Sequence, residues 1–260
     1  MNFIKIDILP FVSTDTSEEQ IQIVSLNRPA VKNAFHPEMI QELTDYFHHI
    51  STQDKICMVV LKGEGGVFCA GADLNWMQKM VNFNYEENLQ DSEKLWDMFA
   101  SIQKCEVPVV GYVQGAAYGG ALGLIACCDY VVTDEKTQFC FSEAKLGLVP
   151  AVISGFILQK VADAFVRPLM ISAEVFQASK ALEIGLVHDI KNLAQVTLVD
   201  YLKKFTANGP IAMKETKKLL NKLRQPMDWQ EQKQLTTQVI SQRRMSLEGQ
   251  ERLKKFIEKK

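Results

Sequence analysis

An α/β core followed by a helical tail is predicted by three features of the sequence. Short apolar runs rich in β-branched residues, at 56–61 and 107–113, read as strands buried on both faces. Stretches with apolar residues at helical spacing separate them, and this alternation is the pattern of α/β architecture. From residue 193 onward the pattern is almost wholly helical, with Lys and Glu interspersed. The division therefore falls near Asn192, between a core over 1–192 and a helical subdomain over 193–260.

The elements follow in order. Residues 4–9 and 21–26 partly alternate apolar and polar, which predicts two strands joined by a polar turn at 13–19. Residues 37–50 read as a helix: Met39, Ile40, Leu43, Phe47 and Ile50 fall near helical spacing, and Pro37 suits the first turn. The strand at 56–61 feeds a glycine-bearing loop, GEGGVFCAGADLNWM, over 63–77. A long amphipathic helix over 85–104 carries Leu89, Leu95, Trp96, Phe99 and Ile102. After the strand at 107–113 comes QGAAYGGALGLIACCDYVVTDEKTQFCFSE, which ends on Glu143 at the close of a short apolar strand. Pro150 opens an apolar helix over 151–165, and a further helix over 172–182 ends at Gly185.

Composition limits the function. At 260 residues and 47% hydrophobic, the chain can bury a sizeable core as one domain with a small appendage. A net charge of −2, from 29 basic and 31 acidic residues, gives no global field favouring nucleic acid or an anionic membrane. None of the six cysteines sits in a CxxC pair, and most lie in apolar runs, as buried thiols of a reducing compartment do. Residues 1–10 lack the basic region, apolar run and cleavage site of a signal peptide. No apolar run approaches the ~20 residues of a membrane span, so a soluble cytoplasmic protein is expected. The four histidines show no metal-ligand spacing. HExxH, Walker and GxSxG motifs are absent, which disfavours metal hydrolysis, nucleotide-dependent chemistry and serine hydrolysis.

The two glycine-bearing segments carry the chemistry. Glycine at this density marks backbone that must approach something closely or adopt positive φ. A Gly119-Gly120 pair opening a helix leaves amide N–H groups aimed outward, with the positive end of the helix dipole behind them. On these residues alone, tight packing of a Gly/Ala-rich helix on a sheet accounts for the pattern equally well.

The loop Ala70-Gly71-Ala72-Asp73, the Gly119-Gly120 helix start and Glu143, in this order and spacing, resemble the enoyl-CoA hydratase/isomerase (crotonase) family. Asn27-Arg28-Pro29 with Asn33-Ala34 resembles its early CoA-side loop, Gly185-Leu186-Val187 its late turn, and 249–260 with Phe256 its C-terminal helix. The resemblance extends along nearly the whole chain. It implies a spiral core of ββα units and a C-terminal helical region that joins subunits into trimers or pairs of trimers. It implies an acyl-CoA thioester as substrate, with CoA part of that substrate and no separate cofactor or metal.

Carried over by motif position, the backbone N–H groups of Ala72 and Gly120 would stabilise a thioester enolate. Ala70, Asp73 and Leu74 would lie along the CoA arm, Gly119 and Gly123 beside the substrate, and Arg28, Lys32 and Phe256 around the nucleotide. Two departures stand out. Many members have lysine just after Arg-Pro, where this chain has Ala30 with Lys32 following. Typical hydratases present two glutamates; the first position falls here on Gly123 and the second on Glu143. A lone carboxylate in an apolar pocket should have a raised pKa suited to proton transfer. One glutamate admits hydration or Δ3–Δ2 isomerisation. The run from Phe68 to Met77, together with 116–123 and 148–154, looks like the bacterial methylglutaconyl-CoA hydratases of leucine breakdown, which favours hydration.

Three further residues and a basic run are weighed against packing. Trp76, Met77 and Met80 either line the pocket or pack at helical spacing, and Asp129 reads as structural. A run of lysines from Lys203 to Lys222, with Arg224, raises RNA binding, since a eukaryotic relative binds AU-rich RNA. Interleaved Glu215 and the lack of an aromatic platform favour a solvated lysine face instead. The apolar stripe of the same segment, with Ile211, Met213, Leu219 and Leu220, is expected to close the pocket and join subunits.

Overall fold

The computed structural model describes residues 2–11, 19–50, 53 and 55–258. Six strands form the main sheet: β1 (Ile4–Pro10), β2 (Gln20–Leu26), β3 (Ile56–Gly63), β4 (Val109–Val113), β6 (Tyr130–Thr133) and β9 (Asp189–Ile190), in that spatial order. Only the β1–β2 pair is antiparallel; every later pair is parallel. Parallel pairing needs crossovers, and these carry α1 (Pro37–Ile50), α2 (Leu74–Met80), α3 (Tyr85–Lys104) and α4 (Gly120–Cys127). β3, ICMVVLKG, is buried along almost its whole length, as a strand covered on both faces must be. α4, GALGLIAC, is buried from Ala121 through Cys127.

A second sheet has three strands, the first of which leads into α4. It consists of β5 (Ala116–Tyr118), β7 (Gln138–Cys140) and β8 (Phe176–Gln177). β5 runs parallel to β7, and β7 antiparallel to β8.

The structure corrects several sequence expectations. The helix expected over 151–165 is two helices, α5 (Ala151–Leu158) and α6 (Asp163–Ser172). The helix expected over 172–182 breaks at Ala173, whose φ of 49° is left-handed. Phe176 and Gln177 then pair with Phe139 and Gln138 as β8 before α7 (Ala178–Glu183) begins. Stacking of Phe176 on Phe139 and Phe141, at centroid distances of 5.6 and 6.0 Å, favours this over continued helix. Glu143 does not close a strand: β7 ends at Cys140, and Glu143 opens a 3-10 turn, Glu143–Leu146. Of the turn expected at 13–19, all but Glu19 lies outside the described residues.

The tail is helical as expected, with α8 (Leu198–Thr206), α9 (Pro210–Leu223), α10 (Trp229–Met245) and α11 (Leu247–Glu258). Lys217 of α9 is not part of a solvated lysine face. It is 6% exposed, and its ammonium donates to Val107 O at 3.0 Å and pairs with Asp129 at 2.7 Å. Asp129 also accepts from Val109 N at 2.7 Å, so the carboxylate read as structural joins the start of β4 to the tail. Of the α9 stripe, Met213 joins Cys57, Met58 and Val60 on the β3 side of the sheet, whereas Ile211 and Leu220 are exposed; none of the four lines the cavity described next. No described helix is long and apolar enough to cross a membrane.

Candidate active site

A mostly apolar cavity of about 820 Å³ lies where the 63–77 loop, the start of α4 and the Glu143–Leu146 turn converge. Ala70, Gly71, Ala72, Leu74, Gly119, Gly120 and Glu143 all line it. Residues from three separated stretches of chain are brought together by backbone pairing. Phe35 N donates to Gly71 O at 2.7 Å, and Asp73 N donates to Phe35 O at 3.0 Å. This parallel bridge brackets Ala72 and leaves the Ala72 N–H pointing away from Phe35. A second bridge stitches the same loop to β5, through Cys69 N to Ala116 O at 3.2 Å and Tyr118 N to Cys69 O at 3.1 Å. The chain leaving β5 then reaches Gly119 and the first turn of α4.

Gly119 caps α4 with φ of 54° and ψ of −125°, a backbone state that side chains disfavour. Its N–H donates to Cys140 O at 2.9 Å, which fixes the helix start against β7. Gly120 is the first residue of α4, so its N–H has no acceptor within the helix. A Cβ on Gly120 would sit 2.9 Å from the Phe35 ring. Phe35 thus holds Ala72 through its backbone and crowds Gly120 with its ring. Sequence reasoning missed it, because a lone aromatic after Asn33-Ala34 has no chemical signature.

Glu143 faces this corner. A Cβ on Gly119 would lie 3.4 Å from Glu143 Oε1, and Glu143 Oε2 is buried with no hydrogen-bond partner. Burial raises the carboxyl above the usual carboxylate range, against the lowering effect of a hydrogen bond from its own backbone. A half-buried, under-bonded carboxylate beside two outward backbone donors can exchange a proton with a bound molecule. The wall around it is apolar, supplied in part by Met77, Met80, Leu146 and Leu148.

Other expected site residues take different places. Gly123 does not contact the cavity: a Cβ there would meet Phe99 and Ile153, each at 2.7 Å, so the position is filled by core side chains and has no room for a second glutamate. Asp73 is 3% exposed; it caps α2, accepting from Asn75 N at 2.8 Å and Trp76 N at 3.3 Å. Arg28 donates to Asp73 Oδ2 at 2.7 Å and to Ala34 O at 2.6 Å. Burial alone would raise the Asp73 carboxyl, but the Arg28 hydrogen bond and the two amides outweigh it and hold it below its ordinary value. This pair braces the loop carrying Ala72, and neither residue lines the cavity. Lys32 is exposed in the left-handed region, φ 53°, and its carbonyl accepts from Ala70 N at 3.0 Å. Next to it, buried Asn33 fixes the loop geometry by bonding Arg28 N, Glu64 O and Val67 O at 2.7–2.8 Å. Trp76 is 5% exposed and packs in the core, whereas Met77 and Met80 line the cavity. Phe256, on α11, is 62% exposed and does not reach the cavity.

A second cavity, of about 330 Å³, lies at the far end of α4, lined by Lys160 and Lys217 among others. Lys160 donates to Ile125 O at 3.0 Å and Cys128 O at 2.8 Å, so it serves the helix's terminal carbonyls.

Comparison with known proteins gives the family. The sequence profile of the family described as Enoyl-CoA hydratase/isomerase matches residues 16–260. The chain belongs to that family.

Among relatives, it is 30% identical to a candidate enoyl-CoA hydratase of Thermus thermophilus, over 77% of this chain and 80% of that one. It is 28% identical to the 2,3-dehydroadipyl-CoA hydratase of Escherichia coli, over 78% of this chain and 79% of that one. Among solved structures, an enoyl-CoA hydratase from Shewanella pealeana superposes with a TM-score of 0.86 at 35% identity, covering 100% of this chain and 94% of that one. The fold is therefore that of the crotonases, and the substrate class consistent with the family is an acyl-CoA thioester.

Proposed function

We propose that this enzyme adds water to a 2-enoyl-CoA thioester, and that the substrate is 3-methylglutaconyl-CoA, giving hydroxymethylglutaryl-CoA. In this reading the thioester oxygen sits between the N–H groups of Ala72 and Gly120. Glu143 removes a proton from water as the oxygen bonds to C3. The electron pair of the double bond moves onto the thioester as an enolate, and a proton returned by Glu143 to C2 completes syn addition. The observation that carries the reading is Glu143 itself: buried, unpaired at Oε2, and lying against the Gly119-Gly120 turn. Preorganised backbone donors are worth on the order of a hundred- to a thousandfold in rate each. The acyl assignment is supported by the Phe68–Met77 resemblance and by Gly123, whose packed site explains why one carboxylate must suffice. Three copies, or pairs of such trimers, are the assembly expected for the family's fold.

The test is the product formed from 3-methylglutaconyl-CoA by the wild type and by E143Q. Loss of the conjugated-thioester absorbance, with hydroxymethylglutaryl-CoA appearing for the wild type and a hundredfold or greater loss for the variant, is expected. Full activity of E143Q would overturn Glu143's role.

One observation favours a second reading: a single carboxylate can carry a proton between C2 and C4, so a Δ3–Δ2 isomerase fits the same corner. It predicts that 3-methylglutaconyl-CoA stays untouched while a 3-enoyl-CoA gains conjugation. RNA binding gains no support, because the basic run is largely engaged within the chain. Lys217 pairs with Asp129, Lys218 with Glu106 and Glu215, and Lys203 with Asp200, while Lys204 lies on the Tyr130 and Tyr201 rings.

A further inference from the structure

The acyl group proposed above ends in a carboxylate, and neither Glu143 nor the two backbone donors can receive it. Among the described residues that line the cavity, Glu143 is the one acid and Lys145 the one base. Lys145 follows Glu143 by two positions on the same 3-10 turn, Glu143–Leu146. That turn is held by Lys145 N to Ser142 O at 3.2 Å, Gly147 N to Ala144 O at 3.1 Å and Leu148 N to Glu143 O at 3.0 Å, so the two charged residues share one mount. The Lys145 ammonium has no carboxylate within ion-pair distance among the described residues. Its contact is the Cys140 thiol, at 3.8 Å, a weak acceptor already turned to Ala173 O. The cations at the other end of α4 differ, since Lys160 and Lys217 spend their donors on backbone carbonyls and Asp129.

We infer that Lys145 receives the distal carboxylate of the substrate, so that the cavity selects enoyl-CoA thioesters bearing a second acid group over neutral ones. The inference rests on the proposed thioester chemistry and names its substrate class. A carboxylate arriving there replaces a thiol contact with a charge-assisted hydrogen bond. Substrate binding also withdraws the exposed lysine from water against Leu146 and Leu148, which strengthens the pair.

The test compares 3-methylglutaconyl-CoA with 3-methylcrotonyl-CoA, which lacks only the carboxylate, in the wild type, K145M and K145R. The quantity read is the ratio of kcat/KM for the diacid to that for the neutral thioester. K145M is expected to lower this ratio about ten- to a hundredfold, the range of a hydrogen bond to a charged group, with K145R retaining part of it. An unchanged ratio in K145M, whether through equal losses on both substrates or through none, overturns the inference while leaving hydration standing. The ratio of dissociation constants for the same two thioesters, measured by calorimetry on E143Q with and without K145M, reads the contact independently of turnover. If the wild type isomerises and does not hydrate, that ratio still decides the role of Lys145, and only the reaction assignment fails.

Discussion

At the scale of single residues, protonation of Glu143 has opposite effects on rate and stability. In the proposed reaction the carboxylate is the form that takes a proton from water, so the rate should fall as pH drops through its raised pKa. A pH–rate profile should therefore lose its acid limb above the usual glutamate range. For stability the sign reverses. A folded-state pKa above the unfolded one means the neutral form favours folding, fully so below the unfolded pKa, and this contribution is lost as pH rises through the folded value. E143Q should therefore melt higher than the wild type at neutral pH, and the two melting temperatures should converge in acid. Gly123 offers a different residue-level test. G123A places a methyl against Phe99 and Ile153, where overpacking typically costs about 1–3 kcal/mol, and should lower the denaturation midpoint. G123E should fold poorly and gain no activity, even though it would restore the second glutamate of typical family members.

At the scale of elements, the loop that presents Ala72 is held by Asp73 and Arg28. D73A removes the cap of α2, worth about 0.5–2 kcal/mol, and leaves Arg28 without its carboxylate. The expected outcome is a lower midpoint in urea, together with a loss of kcat/KM larger than any change in substrate affinity. Kinetics beside equilibrium unfolding would check both parts. Long, apolar or strongly periodic elements such as β3, α1 and α3 were legible because their burial pattern is written into several consecutive residues. The small sheet was not. Strands of two or three residues have no periodicity to detect, and β8 lay inside a segment whose composition suits a helix. Glu143 and the glycine pair were conspicuous because the proposed chemistry calls for those residue types. The Arg28–Asp73 pair links residues 45 positions apart, and no local pattern signals it; both were expected on CoA because their motif position suggested contact.

At the scale of the whole molecule, Lys217 fastens the helical tail to the sheet. K217A should cost about 1–3 kcal/mol through unsatisfied Val107 O and Asp129, and should make the connection before α9 more open to limited proteolysis. K217M, which keeps the stem, should recover part of the loss. Large apolar side chains stand out on the last two helices, with Trp229 86%, Met245 83%, Leu247 76% and Ile257 69% exposed. Surfaces of this kind call for cover, and sedimentation equilibrium is expected to give three copies or six. A monomer at micromolar concentration would rule that assembly out.

Phe35 ties these scales together. Its peptide group holds the strand position of Ala72, one of the two proposed oxyanion donors, and its ring fills the space beside Gly120, the other. In the proposed reaction the spacing of the two donors therefore depends on a residue, backbone and ring together, that bonds to no reactant. A smaller residue there would detune catalysis in the manner of a loosened caliper: every chemical group present, and the distance between the jaws no longer kept.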